Sequence, residues 1–140
     1  MKLYLAGPLY STAEREFNVR LAQLLREKGH EVWSPQENED RHASAKEIFD
    51  SDVAGIDWAD AVVANMDGAD PDSGTSWECG YAYKKKPVIL FRTDFRAGDD
   101  PDKGPFNFML TQSAHRCLEL YLESTEVVAS RIAEALREPV

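Results

Sequence analysis

Hydrophobic and polar positions along this chain switch between two periods, and the switching marks out its elements. Four short runs read as buried strands: Lys2–Ala6, Glu31–Ser34, Ala61–Asn65 and Pro87–Phe91. Cys117–Tyr121 alternates as an edge strand does. Between them the apolar spacing becomes three and four. Phe17, Leu21, Leu24 and Leu25 form the stripe of a helix that opens at the capping box Ser11-Thr-Ala-Glu14 and runs to about Lys28, with Gly29 as its stop. A second capping box, Ser44-Ala-Lys-Glu47, opens a helix whose apolar face holds Ile48, Phe49, Val53 and Ile56. A third helix starts at the turn Asp72–Thr75 and ends near Lys84–Lys86, where cations suit the negative end of its dipole. Pro105–Leu110 begins a further helical turn, and Ser124 opens a closing helix to about Arg137. Pro35–Ala43 is a polar loop, and Arg92–Gly104 is longer than a plain connector, which makes it a lid candidate. Five strands alternating with helices predict a single three-layer α/β domain over residues 1–140, with a mainly parallel sheet.

Two carboxylates break this pattern. Asp52 lies four residues after Ile48 and four before Ile56, so it points into the apolar face of its helix. Glu78 sits one turn inside the third helix, after a strand and a loop, where open α/β sheets place their ligands. Gly80 nearby leaves room for close approach. The bland readings are a solvent-facing Glu and a helix-edge Asp with a satisfied hydrogen bond. Asp57 and Asp60 fall off the stripe and read as solvated.

Composition narrows the possibilities. A net charge of −9 argues against nonspecific binding to nucleic acid or to an anionic membrane. No apolar run approaches the roughly 20 residues of a membrane span. The first residues carry one Lys and a short apolar strand, unlike a signal peptide. Cys79 and Cys117 have neither metal-ligand nor disulfide-framework spacing, so the expected compartment is cytoplasmic.

The common nucleotide signatures are missing, since Gly7-Pro8 after the first strand is neither a P-loop nor a dinucleotide fingerprint. His30, His42 and His115 sit in polar surroundings and read as surface residues. Cys79 is adjacent to Glu78 and projects about 100° away from it, so the two cannot serve one site, and Cys79 reads as a small buried residue. What remains is Glu78, Asp72 and Asp52 with Tyr4 in the first strand and Tyr10 just beyond it. Carboxylates around a cleft suit glycosidic chemistry, one attacking the anomeric carbon while another protonates the leaving group.

Along nearly its whole length the chain resembles the nucleoside 2-deoxyribosyltransferase family. The resemblance is carried by Leu3-Tyr-Leu-Ala-Gly-Pro8, Asp50-Ser-Asp-Val-Ala-Gly-Ile56, Asp72 to Ala82 in the pattern D-x-G-x-x-x-E-x-G-x-A, and Gly104-Pro-Phe-Asn-Phe-Met109. It implies a flavodoxin-like three-layer sandwich. Glu78 would be the nucleophile of a covalent deoxyribosyl-enzyme, Tyr4 the hydroxyl that orients it, and Asp52 and Asp72 the groups that hold and protonate the departing base. Gly7 and Ser11 would help bind substrate. Asn107 and Met109 match positions that members contribute to the neighbouring subunit's site, which implies a homo-oligomer. The residue pattern alone makes them a turn residue and a core residue. Partners would be 2-deoxynucleosides and free nucleobases, with no metal and no cofactor. The missing 2-hydroxyl makes chemical sense, because that group withdraws electron density from an oxocarbenium-like transition state.

Two alternatives stay open. Related 2-deoxynucleoside 5-monophosphate N-glycosidases share the fold and the carboxylates but bind a phosphate, and Ser11, Thr12 and Arg15 at a helix N-terminus are the candidate cradle. These three equally read as an ordinary cap with a solvated charge. The other alternative is a catalytically silent flavodoxin-like binding module.

Overall fold

The computed structural model describes residues 1–96, 102 and 104–139. Its five strands are β1 (Lys2–Ala6), β2 (Glu31–Trp33), β3 (Ala61–Asn65), β4 (Val88–Arg92) and β5 (Arg116–Glu119). The helices are α1 (Thr12–Glu27), α2 (Ala45–Trp58), α3 (Ser73–Ala82), α4 (Phe108–Ser113) and α5 (Thr125–Arg137). The strands form one sheet in the order β2-β1-β3-β4-β5, and every pairing is parallel rather than mainly so. This is the flavodoxin-like winding, whose strand order reverses beside β1 and opens a crevice at the carboxyl ends of β1 and β3.

Strand periodicity divides the core into two layers. Leu3, Leu5 and Val63 face one side, against Leu21 and Leu25 of α1 and Ile132 of α5. Tyr4, Ala6, Val62 and Ala64 face the other, against Ile56 of α2 and Cys79 and Ala82 of α3. That alternation commits Tyr4 to the side of the sheet that carries Asp52 and Glu78.

Local chemistry sets the helix ends. Both capping boxes form: Ser11 Oγ accepts from Glu14 N and Ser44 Oγ from Glu47 N, with the glutamates reaching back to the cap amides. Asp72 caps α3, its Oδ2 accepting from the backbone N and the hydroxyl of Thr75, both at 3.0 Å. The polar segment after β2 contains a 3-10 turn, Pro35–Asn38.

Several expectations change. Ile48 and Phe49 are exposed, and of the predicted α2 stripe only Ile56 is buried. The first half of α2 stands off the sheet, so its apolar side walls a cleft instead of filling a core. Lys86 does not serve the end of α3. Its ammonium donates to the carbonyls of Ile56 and Ala59, the latter at 2.6 Å, and so caps α2. Residues 97–101 and 103 of the Arg92–Gly104 segment lie outside the described residues, and the lid expectation lies there with them. Among the described residues no helix is long and apolar enough to cross a membrane.

Arg92, the last residue of β4, is 1% exposed and ties the loops above the sheet together. It donates to Asp94 Oδ1 (2.8 Å), to the Gly68 carbonyl (2.8 Å) and to the Pro105 carbonyl (3.4 Å). Asp67 accepts from the amides of Thr93 (2.6 Å) and Asp94 (3.0 Å) and from the Thr93 hydroxyl. The connection that leads to Asp72 and the approach to α4 are therefore held by one buried network, each member satisfied.

Candidate active site

At the carboxyl edge of β1 a cleft of about 350 Å³ opens between α2 and α3. Gly7, Tyr10, Asp52, Asp72, Trp77 and Glu78 are among the residues that line it. Gly7 sits where the backbone must pass closely, since a Cβ there would lie 3.1 Å from that of Asn65 at the end of β3. Tyr4 lies beneath the floor, 0% exposed, and its hydroxyl donates a short hydrogen bond to Glu78 Oε2.

The electrostatics follow from this crowding. Burial, opposed by the Tyr4 hydrogen bond and reinforced by the charges of Asp52 and Asp72, raises the Glu78 carboxyl to about 7. Burial also raises Asp52 above the ordinary carboxylate range. The Tyr4 hydroxyl is pushed well up, first by burial and then by the Glu78 charge, so it stays a hydrogen-bond donor at any working pH. Asp72, followed by partial burial and the Glu78 and Asp52 charges, raises Tyr10. Three acidic side chains thus face one cavity, and burial makes two of them, Glu78 and Asp52, hold their protons more tightly than in water. Cys79 is buried on the sheet side of α3 and pushed up to about 12 by burial, which suits the packing role expected of it and not a nucleophile's.

The structure brings Tyr4, Gly7, Tyr10, Asp52, Asp72 and Glu78 together, and leaves Ser11, Arg15, Asn107 and Met109 outside. Ser11 does not line the cleft, and its hydroxyl is engaged at the head of α1. Arg15, the cation of the candidate phosphate cradle, forms a two-pronged pair with Glu39, both bonds 2.9 Å. Gly80 faces away from Glu78, as residues two apart on a helix do, and opens onto a different groove of about 740 Å³ between α3 and α4. Asn107 and Met109 line that second groove. Asn107 is the N-cap of α4, accepting from Met109 N at 2.9 Å. Met109, a core residue by pattern alone, is 70% exposed.

Sequence reasoning missed the aromatic residues around the cleft. Phe49 meets Trp77 edge-on (centroids 5.2 Å apart), and Trp77 stacks on Tyr81 (5.3 Å, 13°). Trp77 is next to Glu78 in sequence, and a tryptophan beside the candidate nucleophile in a short helix is the available signal. Trp33 was missed as well; it stacks on Tyr4 with centroids 5.4 Å apart and planes 16° from parallel. Among the described residues no three His, Cys, Asp or Glu side chains converge as metal ligands would.

Comparison with known proteins adds a family. The model of the family described as nucleoside 2-deoxyribosyltransferase matches residues 3–110. Among solved structures, a 2-deoxyribosyltransferase from Bacillus psychrosaccharolyticus is 34% identical with a TM-score of 0.69, over 92% of this chain and 90% of that one. A conserved protein from Enterococcus faecalis V583 is 27% identical with a TM-score of 0.74, over 96% and 98%. A CMP N-glycosidase from Clostridium botulinum is similar in fold, at 19% identity and a TM-score of 0.66, over 96% and 98%. No curated protein sequence matches the chain.

Proposed function

The chain belongs to the nucleoside 2-deoxyribosyltransferase family, and from that premise we propose that it moves 2-deoxyribose between nucleobases by two displacements at one carbon. In the first, a Glu78 carboxylate oxygen bonds to the anomeric carbon as the bond from that carbon to the base nitrogen breaks. The base leaves with the bonding pair and takes a proton from Asp52 or Asp72. In the second, an incoming base attacks the same carbon, gives up its proton to the emptied carboxylate, and releases Glu78. Two inversions give retention. Water in place of the second base gives slow hydrolysis.

One observation carries this reading: the part-buried Tyr4–Glu78 pair at a cleft flanked by two further carboxylates. A poorly solvated carboxylate is a strong nucleophile, and the positive charge that develops on the sugar relieves the repulsion among the three acids. The Tyr4 hydroxyl fixes which Glu78 oxygen points away from the sugar. Phe49 and Trp77 offer the leaving base an apolar, stacking wall. The exposed Met109, beside Asn107 on a groove that Glu78 does not line, supports a homo-oligomer in which these residues reach a neighbour's cleft.

The related reading, a 2-deoxynucleoside 5-monophosphate N-glycosidase, needs a phosphate site, and Arg15 already spends its guanidinium on Glu39. Free nucleosides are therefore the preferred donors. The test compares initial rates of base release from a deoxynucleoside and its 5-monophosphate, with and without a second base. An exchanged nucleoside, made faster from the unphosphorylated donor, is the expected result. A monophosphate advantage of about tenfold or more, lost in Arg15→Ala, would overturn it.

A further inference from the structure

Tyr4 and Trp33 are direct partners in the β1–β2 ladder, so their side chains leave the sheet on the same face. Their rings stack at 5.4 Å. On its other flank Trp33 meets α2 where that helix has no side chain: a Cβ at Gly55 would lie 2.6 Å from Cδ2 of the indole and 2.8 Å from Cε2 and Cε3. The ring thus fills the space between Tyr4 and the α2 backbone. Gly55 follows Asp52 by three residues, one turn along the same side of the helix. One indole therefore touches the residue that holds Glu78 and the helix that carries Asp52.

We propose that Trp33, seated against Gly55, is a positioning residue for the proposed transfer: it holds the Tyr4 ring against the α2 backbone so that the Tyr4 hydroxyl meets Glu78. This rests on the reading of Glu78 as the nucleophile, but the role can be measured without turnover. The Tyr4 bond favours the ionised form of Glu78. Other titratable groups close enough to act on Glu78 or be acted on by it are Asp52 from α2, Asp72 capping α3, Cys79 on the sheet side of α3, and Tyr10 from the connection after β1. None of these changes chemically when Trp33 is replaced.

The experiment uses Trp33→Leu, Trp33→Phe and Gly55→Ala, alone and with Tyr4→Phe. The Glu78 carboxyl is titrated by carbon-13 NMR in the ligand-free protein and assigned by its loss in Glu78→Gln. Base exchange is measured alongside, with thermal unfolding as the check on folding. Trp33→Leu and Gly55→Ala are expected to raise the Glu78 titration toward that of Tyr4→Phe and to lower kcat by about tenfold with little change in KM. Trp33→Phe, which keeps a stacking ring, should recover most of both. Adding Tyr4→Phe to Trp33→Leu should cost nothing more, because both act through one hydrogen bond. If Trp33→Leu does not fold, Gly55→Ala against Trp33→Phe decides the matter by the same readouts. A folded Gly55→Ala or Trp33→Leu with an unmoved titration and wild-type kcat, or losses that multiply with Tyr4→Phe, would overturn the role. A moved titration in a protein that releases no base from any deoxynucleoside would leave the positioning role standing and remove the proposed reaction instead.

Discussion

Glu78→Gln should make this protein more stable, by an amount that depends on pH. The Glu78 carboxyl is raised from its ordinary value near 4.5 to about 7 by burial and by Asp52 and Asp72. A carboxyl whose folded value is raised binds its proton more tightly in the folded state than in the unfolded chain. Its contribution to stability is complete below about pH 4.5 and is lost as pH rises through about 7. At roughly 1.4 kcal/mol for each pKa unit, ionising Glu78 in the folded protein costs about 3 kcal/mol by pH 8. Gln has almost the same shape, can still accept from the Tyr4 hydroxyl, and carries no charge. Urea or thermal unfolding of both proteins at pH 8 should therefore favour the variant by about 3 kcal/mol, or roughly 10 °C in Tm for a domain of this size. At pH 4.5 the two should nearly coincide. The wild-type rate should show an acid limb with an apparent pKa near 7, because the attacking form is the carboxylate. A variant that is equal or less stable at pH 8, or a gap that does not close on acidification, would refute the claim that the site stores electrostatic strain in Glu78.

Two further outcomes follow from the loops and the second groove. If Asn107 and Met109 complete a neighbour's cleft, mixing Glu78→Ala with Asn107→Ala subunits after dissociation should return about a quarter of wild-type activity, since half the pairs are hybrids with one intact site of two; verified mixed oligomers with no activity would count against it. Arg92→Met strips a buried cation from Asp94 and from the carbonyls of Gly68 and Pro105, and should cost about 3 kcal/mol in chemical denaturation; a loss within about 0.5 kcal/mol would show that the network does not hold these loops.

Much of this architecture is legible in the chain itself. Two capping boxes fix the starts of α1 and α2, and the branched runs locate β1, β3 and β4, because these signals are local. Asp52 and Glu78 stand out for the same reason, each a carboxylate where its own helix pattern wants something else. What stays hidden depends on register and on distant neighbours. Nothing near Trp33 says that it lies beside Tyr4, and nothing near Gly55 says that an indole needs the space. Ile48 and Phe49 have the spacing of a core stripe, yet a helix that borders a cleft uses the same spacing to line it. Lys86 follows α3 in sequence and caps α2 in space. Gly80 suggests close approach at Glu78, but the helix turns it to the opposite groove.

The claim on which the rest depends is that Glu78 becomes bonded to the sugar. A 2-fluoro-2-deoxynucleoside slows both displacements through electron withdrawal, the second enough for the sugar to accumulate on the enzyme. Peptide mass spectrometry of the protein after incubation should find the fluorodeoxyribosyl mass on the peptide containing Glu78, localised to that residue by fragmentation, absent in Glu78→Gln, and discharged when a free base is added. The adduct on Asp72, Asp52 or Cys79, or rapid base release with no adduct at any time, would contradict the account.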